Sequence, residues 1–453
     1  MEKTLREHGV GDVFANCDGA NLWRILTSGS VNAGSVASPP PFIPPIVHES
    51  RRDFIQNMQV VTRAVIAVLV LALAGMAASA PQVAPGAVPT LTDLRARVQV
   101  ALDDVRATAT FPGVGVGIAF ADGESFGVAS GLADVEQRVA LTPTDRLLAG
   151  SVGKTFVAAV VLQLIEEGTL ALDDRAATWV GDEPWFARLP NAPALTVRSL
   201  LNHTAGLPEY YDGKGAAEAI TADPHRVWTP AGRLAYVLDA APLFPVGQGW
   251  SYADTHYILL GLIAERAGRT PLFTQIERRL LAPLALRGIV ASDRRDVPRL
   301  AVGYADPKNP LGLDGRTVVD GRLTINPQVE WAGGGLATTP QDLARWATLL
   351  FEGKTFRRKE TLAAMLVGVD TTAGRGGAQG PTYGLGVMIR DTAWGPSYGH
   401  SGWFPGYRTE LAYFPDRQVA IAVQFNTDIA TSLRKAPSAY LDDVARVVLG
   451  PGK

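Results

Sequence analysis

The sequence predicts an α+β protein. One antiparallel sheet is built from both ends of the folded region and flanked by helices, with a large helical region inserted between them. Three observations predict it. Residues 114–120 and 125–129 are short apolar runs around Ala121-Asp122-Gly123, which is the pattern of a β-hairpin. Residues 409–414 and 419–425 repeat that pattern near the other end, around Pro415-Asp416-Arg417-Gln418. Between the two pairs the chain shows helical periodicity and long loops, with no internal repeat and no regular alternation of strand and helix.

The elements follow in chain order. Residues 1–49 lack periodicity, contain Pro39-Pro40-Pro41 and Pro44-Pro45, and read as an over-long start. Ser50-Arg51-Arg52-Asp53-Phe54-Ile55-Gln56 resembles the twin-arginine export motif. The apolar run AVIAVLVLALAGM at 64–76 is too short to span a bilayer comfortably and suits a signal-peptide core. Ala78-Ser79-Ala80 then forms an A-x-A cleavage signal, so cleavage is expected after Ala80. The general secretory route starting at Met58 is the alternative. The expected organisation is an N-terminal extension and export signal over 1–80, a Pro-rich linker over 81–90, and a folded domain over 91–453. Within that domain, 91–150 and 395–453 supply the sheet and 151–394 the helices. The expected location is periplasmic or secreted.

The folded region should open with a helix over 90–107, carrying Leu91, Leu94, Val98, Leu102 and Val105 on one side. A second helix is expected from Val152 to about Glu167. Its middle, FVAAVVLQLI, is apolar nearly all round and belongs in the centre of the fold, and Gly168 stops it. Shorter helices are expected over 197–201, followed by NHTAGLP, and over 258–267, 343–351 and 440–449.

Composition narrows the function. The chain is 47% hydrophobic and 19% charged with a net charge of -2, which gives no electrostatic case for nucleic acid. Membrane contact is expected only through the export signal. The single cysteine, Cys17, lies upstream of the cleavage site, so the exported chain would lack disulfides, thiolate chemistry and cysteine metal sites. The histidines are scattered and no H-E-x-x-H occurs.

Ser151-Val152-Gly153-Lys154 is the stretch that carries chemistry. Positions i and i+3 share one face of a helix, so Lys154 can reach the Ser151 hydroxyl and take its proton. Burying the helix also buries the amine, and desolvation together with the positive end of the helix dipole favours the neutral form that can act as a base. A serine with a built-in base is a candidate nucleophile for acyl transfer.

Further along come Tyr252-Ala253-Asp254 and His400-Ser401-Gly402. In this order the three motifs make the chain resemble the penicillin-recognising serine hydrolases: class C β-lactamases, serine D-Ala-D-Ala carboxypeptidases and related esterases. NHTAGLP, FPVGQGWSYADTHYILLGLIAERAG and WAGGGLATTPQDLARWATLL add to the likeness, which covers about residues 91–449. The resemblance implies a β-lactamase/transpeptidase-like fold and a covalent acyl-enzyme. It implies Ser151 as nucleophile, Lys154 as the group that takes or relays its proton, and Tyr252 as the shuttle to the leaving group. His400, Ser401 and Gly402 would line the opposite wall on an edge strand. The backbone N–H groups of Ser151 and Trp403 would form the oxyanion hole. No metal or organic cofactor is implied, and the partner is a small-molecule or peptide substrate. Oligomeric state is not readable.

Two departures from the family pattern bear on substrate. Asp254 stands where the family has asparagine, and an ionised aspartate only accepts hydrogen bonds. It could hold Lys154 but could not donate to a substrate carbonyl, which leaves esterase activity open. His400 stands where many β-lactamases have lysine and supplies no fixed charge, so Arg408 is the expected dock for a substrate carboxylate. The expected activity is D-Ala-D-Ala carboxypeptidase or esterase. A class C-like β-lactamase is the alternative, and a non-catalytic penicillin-binding sensor is a lesser one. Two unrelated readings compete with these. Ala149-Gly150-Ser151-Val152-Gly153 nearly matches the G-x-S-x-G elbow of α/β-hydrolases, but their parallel β/α pattern is missing. Val152-Gly153-Lys154-Thr155 ends like a P-loop but has Leu148 where the first glycine belongs.

Overall fold

The computed structural model describes residues 90–372 and 381–453. The expected export segment lies outside them. Leu91–Lys453 forms one compact unit. Helix α1 (Leu91–Thr108) leads into the hairpin β1 (Gly113–Phe120) and β2 (Ser125–Asp134), with a short β3 (Val139–Ala140). A 3-10 turn (Gly150–Gly153) feeds helix α2 (Lys154–Glu166). The middle holds α3 (Val197–Leu201), α4 (Asp254–Gly268) and α5 (Pro340–Phe351) among shorter helices. The chain then returns to the sheet through β4 (Val369–Asp370), β5 (Thr382–Tyr383), β6 (Met388–Thr392), β7 (Gly395–Phe404), β8 (Tyr407–Phe414) and β9 (Val419–Phe425), and closes with α6 (Pro437–Leu449).

The sheet has nine strands in the order β4-β5-β6-β7-β8-β9-β1-β2-β3, and its ladders are antiparallel. The two terminal hairpins do meet, through β1 and β9. Three of its strands come from 369–392, inside the segment expected to be helical.

The two faces of the sheet differ because of the alternation along its strands. In β1 and β9, Val114, Val116, Ile118, Ile421, Val423 and Phe425 turn to one side and pack against α1 and α6. Ala119, Ala420 and Ala422 turn to the other side, where they join the core that holds α2 and α5. Small residues there let a helix approach closely: a Cβ at Gly117 would lie 1.9 Å from the Pro340 carbonyl oxygen. Helix α2 is buried almost throughout. Phe156 stacks on Trp346 of α5 at 4.0 Å between centroids, and the Trp346 indole donates to Thr155 Oγ1 at 2.8 Å. The strand Leu147–Leu148 pairs with Leu336–Thr338, and Ala149 N–H donates to the Leu336 carbonyl at 2.9 Å. The chain is thus held on both sides of Ser151.

Candidate active site

Ser151 sits in the 3-10 turn and Lys154 is the first residue of α2. In a 3-10 turn side chains three apart eclipse each other, which brings this pair together. Lys154 Nζ lies 3.0 Å from Ser151 Oγ. It also donates to Asp254 Oδ1 and, at 2.5 Å, to the Gly333 carbonyl. Lys154 is fully buried, whereas Ser151 is partly exposed. Three oxygens therefore surround the Lys154 nitrogen, enough to accept every hydrogen of its protonated form, while the neutral form keeps a lone pair for the Ser151 proton. Burial of the amine is accompanied by a carboxylate, which the N-terminus of α4 brings to it.

Asp254 opens α4, whose N-terminus is clasped by the NHTAGLP segment. Glu209 Oε2 accepts the Asp254 N–H at 2.6 Å, the Pro208 carbonyl accepts Thr255 Oγ1 at 2.8 Å, and the His203 carbonyl accepts the Ser251 N–H at 3.1 Å. A carboxylate from a distant loop therefore fills the place that a capping side chain leaves empty, since Ala253 supplies none. Burial and the nearby Asp254 charge push the Glu209 carboxyl well above its usual range.

Tyr252 precedes this helix. Lys154 Nζ lies 4.9 Å from its ring centroid, and His203 packs on the ring at 4.3 Å. Behind it stands a set of buried rings. His203 Nδ1 and His256 Nδ1 are 2.8 Å apart. Burial pushes His203 well below the usual imidazole range and His256 down to about 3, with Lys154 adding to the effect.

His400 belongs to the same set. Its Nδ1 lies 2.6 Å from the Ser401 carbonyl and its Nε2 lies 2.8 Å from the Tyr383 hydroxyl. The carbonyl can only accept, so Nδ1 carries the hydrogen and Nε2 accepts from Tyr383. Burial pushes the imidazole down to about 3. With both ring nitrogens occupied and the side chain fully buried, His400 braces the wall and does not offer a contact to substrate. The strand is also not the sheet edge. However, the β6–β7 ladder ends at Met388–Gly399, so from His400 onward β7 is laddered only to β8.

Gly402 and Trp403 lie against the nucleophile turn. A Cβ at Gly402 would sit 1.9 Å from the Ala149 carbonyl oxygen, and one at Gly150 would sit 2.4 Å from the Trp403 nitrogen. Only glycine fits at either place. The contact brings the Trp403 backbone beside Ser151, while the Trp403 indole turns to Asp428 at 2.7 Å.

Arg408 is not brought to this cluster. Its register partner is Trp403, and it alternates with Leu411 and Thr409, so it lies on the face opposite His400. Its neighbours are the Asp428 and Glu410 carboxyls, whose charged forms it favours. The guanidinium that reaches the third motif is Arg390, which donates to Ser401 Oγ at 2.7 Å and to Glu410 at 3.3 Å. Sequence reasoning missed Arg390, Glu209 and Gly333. None stands in a spaced motif with Ser151, and only the fold brings them near.

A family model described as Beta-lactamase matches residues 98–445. The chain is 28% identical over 305 residues to a D-aminopeptidase from Brucella anthropi, covering 65% of this chain and 52% of that one. It is 23% identical to penicillin-binding protein 4* of Bacillus subtilis, covering 68% and 66%. The chain thus spans about half of the first relative and just under two thirds of the second. Among solved structures, a D-stereospecific amidohydrolase from Streptomyces sp. superposes with a TM-score of 0.63 at 25% identity, covering 75% of this chain and 97% of that one. The D-amino acid amidase of Ochrobactrum anthropi SV3, complexed with L-phenylalanine amide, shares the fold with a TM-score of 0.65 at 23% identity, covering 79% and 99%. A match that runs from the first helix of the fold to the last makes this chain a member of the Beta-lactamase family, a serine hydrolase of the β-lactamase fold.

Proposed function

We propose that this protein is an exported serine hydrolase that cleaves amide or ester bonds of small D-configured amino-acid or peptide substrates through an acyl-enzyme on Ser151. One observation carries the reading: a fully buried Lys154 amine 3.0 Å from a partly exposed Ser151 hydroxyl. The similarity to a D-aminopeptidase and a D-stereospecific amidohydrolase supports the substrate class.

In the first step Ser151 Oγ bonds to the substrate carbonyl carbon, and its proton passes to the Lys154–Tyr252 pair. The carbonyl oxygen becomes an oxyanion beside the backbone N–H groups of Ser151 and Trp403, an arrangement in which one donor is typically worth about 2.7–4 kcal/mol. As the carbon–nitrogen or carbon–oxygen bond breaks, the leaving group takes that proton. Water then attacks the ester by the same route and frees Ser151.

The test is a substrate panel: D- and L-phenylalanine amide, a peptide ending in D-Ala-D-Ala, a p-nitrophenyl ester and a chromogenic cephalosporin. Turnover of the D-amide, the D-peptide or the ester is expected, with the acyl group found on Ser151 by mass spectrometry and lost in Ser151→Ala. Turnover that survives Ser151→Ala defeats the mechanism, and efficient cephalosporin turnover alone makes the protein a β-lactamase. Export rests on the sequence at 50–80, and the check is whether the chain recovered from the periplasm or medium begins at Pro81.

A further inference from the structure

Residues 330–336, Glu330 and the first part of the stretch WAGGGLATTP that follows it, take no part in the steps above, yet they form the floor beneath them. The Gly333 carbonyl accepts from Lys154 Nζ at 2.5 Å. The Gly334 carbonyl presses on the nucleophile turn so closely that a Cβ at Gly153 would lie 1.7 Å from its oxygen. The Leu336 carbonyl holds Ala149 at 2.9 Å. One short segment therefore touches the chain before Ser151, the turn that carries it, and the amine beside it.

That segment does not hold its shape by itself. Trp331, a bulky residue, has φ +40°, in the left-handed region that favours glycine. Such a conformation persists only where the surroundings enforce it. Glu330, one residue before Trp331, reaches across the segment to its far end. Its side chain is 6% exposed, Oε2 accepts the Gly335 N–H at 3.1 Å, and a Cβ at Gly334 would lie 1.9 Å from Oε1. The carboxyl lies flat against the backbone of 334 and binds 335.

We propose that Glu330 is a positioning residue for the reaction, clamping residues 333–335 so that the Gly333 carbonyl holds the Lys154 amine at Ser151. This rests on the reading of Ser151 and Lys154 given above. The clamp also carries an electrostatic signature. The titratable groups that face Glu330 are Lys154 from α2, Asp254 from α4 and Tyr210 from the loop before them, and Arg233 stacks 5.5 Å from the neighbouring Trp331 ring. Burial, then the Asp254 charge, push the Glu330 carboxyl up to about 8, against the pull of Lys154 and the Gly335 N–H. Near pH 7 the carboxyl is mostly neutral. Above pH 8 it becomes a second anion beside the Lys154–Asp254 pair, where added negative charge opposes loss of the Ser151 proton and the charge that develops at the serine.

The experiment measures the rate at which a fluorophosphonate labels Ser151, read by mass spectrometry between pH 6 and 10. Glu330→Ala should slow labelling by about 10- to 100-fold at pH 7, the scale of a misplaced reacting group. Glu330→Gln keeps an acceptor for Gly335 and should restore the rate to within a few-fold at that pH. The wild-type profile should bend downward near pH 8, and Glu330→Gln, which cannot ionise, should lack the bend. Wild-type labelling in Glu330→Ala, or superimposable profiles for wild type and Glu330→Gln, would overturn the proposal. If Glu330→Ala does not fold, the Glu330→Gln profile decides. Absence of Ser151 labelling in the wild type would instead strike the parent reading.

Discussion

Lys154 lies between two kinds of surroundings. Below it is an acidic floor: Asp254 and the Gly333 carbonyl in contact, with the Glu330 and Glu209 carboxyls behind, both pushed upward by burial. Beside it is a neutral wall of rings: Tyr252, His203, His256, Tyr257, Tyr383 and His400. Both sides are buried, and burial penalises charge in each. The floor answers with an opposite charge. The wall gives up charge: its imidazoles are driven down, its Tyr257 and Tyr383 phenols are driven up, and Lys154 itself disfavours a cationic ring nearby. The difference teaches how one buried cation is kept beside a nucleophile. One carboxylate, Asp254, faces the amine on one side while burial and that charge hold the carboxyls behind it toward their neutral forms, and the other side is kept polar but uncharged.

The sharpest way to break this contrast is to remove the cation. Lys154→Met should lower kcat/KM by about 10³-fold, the middle to upper part of the range for a positioned proton-transfer group. Activity within tenfold of wild type would mean that the floor serves packing only. Removing its partner comes next. Asp254→Ala leaves an uncompensated buried charge and should cost about 3–5 kcal/mol in urea unfolding, whereas Asp254→Asn, still an acceptor, should cost clearly less.

The wall is probed by acid. His256 and His400 have folded-state values of about 3, against about 6.5 unfolded. Below pH 6.5 the unfolded chain binds protons that the folded chain refuses. The stability present above pH 6.5 is therefore lost as pH falls toward 3, by up to about 1.4 kcal/mol per unit for each ring. His400→Asn should flatten this slope in urea titrations at pH 4 to 7; an unchanged slope would place the protons elsewhere. The smallest effect is expected on the far face of the sheet. Arg408→Ala should leave Ser151 labelling and the KM of carboxylated substrates unchanged, and a raised KM would show that this face reaches the cleft after all.

Much of the fold was legible in the sequence. The helix at 197–201 and the strand at 419–425 coincide with their expected bounds because turn residues flank strong local patterns. The strands at 369–392 were missed. Val369–Asp370 and Thr382–Tyr383 are too short to show alternation, and they exist through pairing with each other and with β6. In the site, the meeting of Ser151, Lys154 and Tyr252 was legible because the first two share a local spacing and the third a motif. Glu209 and Glu330 were not, because a carboxylate brought from another segment leaves no periodic trace near Lys154. His400 was read as a ligand contact because sequence does not reveal that both ring nitrogens have internal partners.

Gly150 and Gly402 leave the nucleophile turn and strand β7 touching main chain to main chain. No side chain stands there to be exchanged, so any replacement at either glycine has to part the two backbones, and the seam answers to mutation as a single unit.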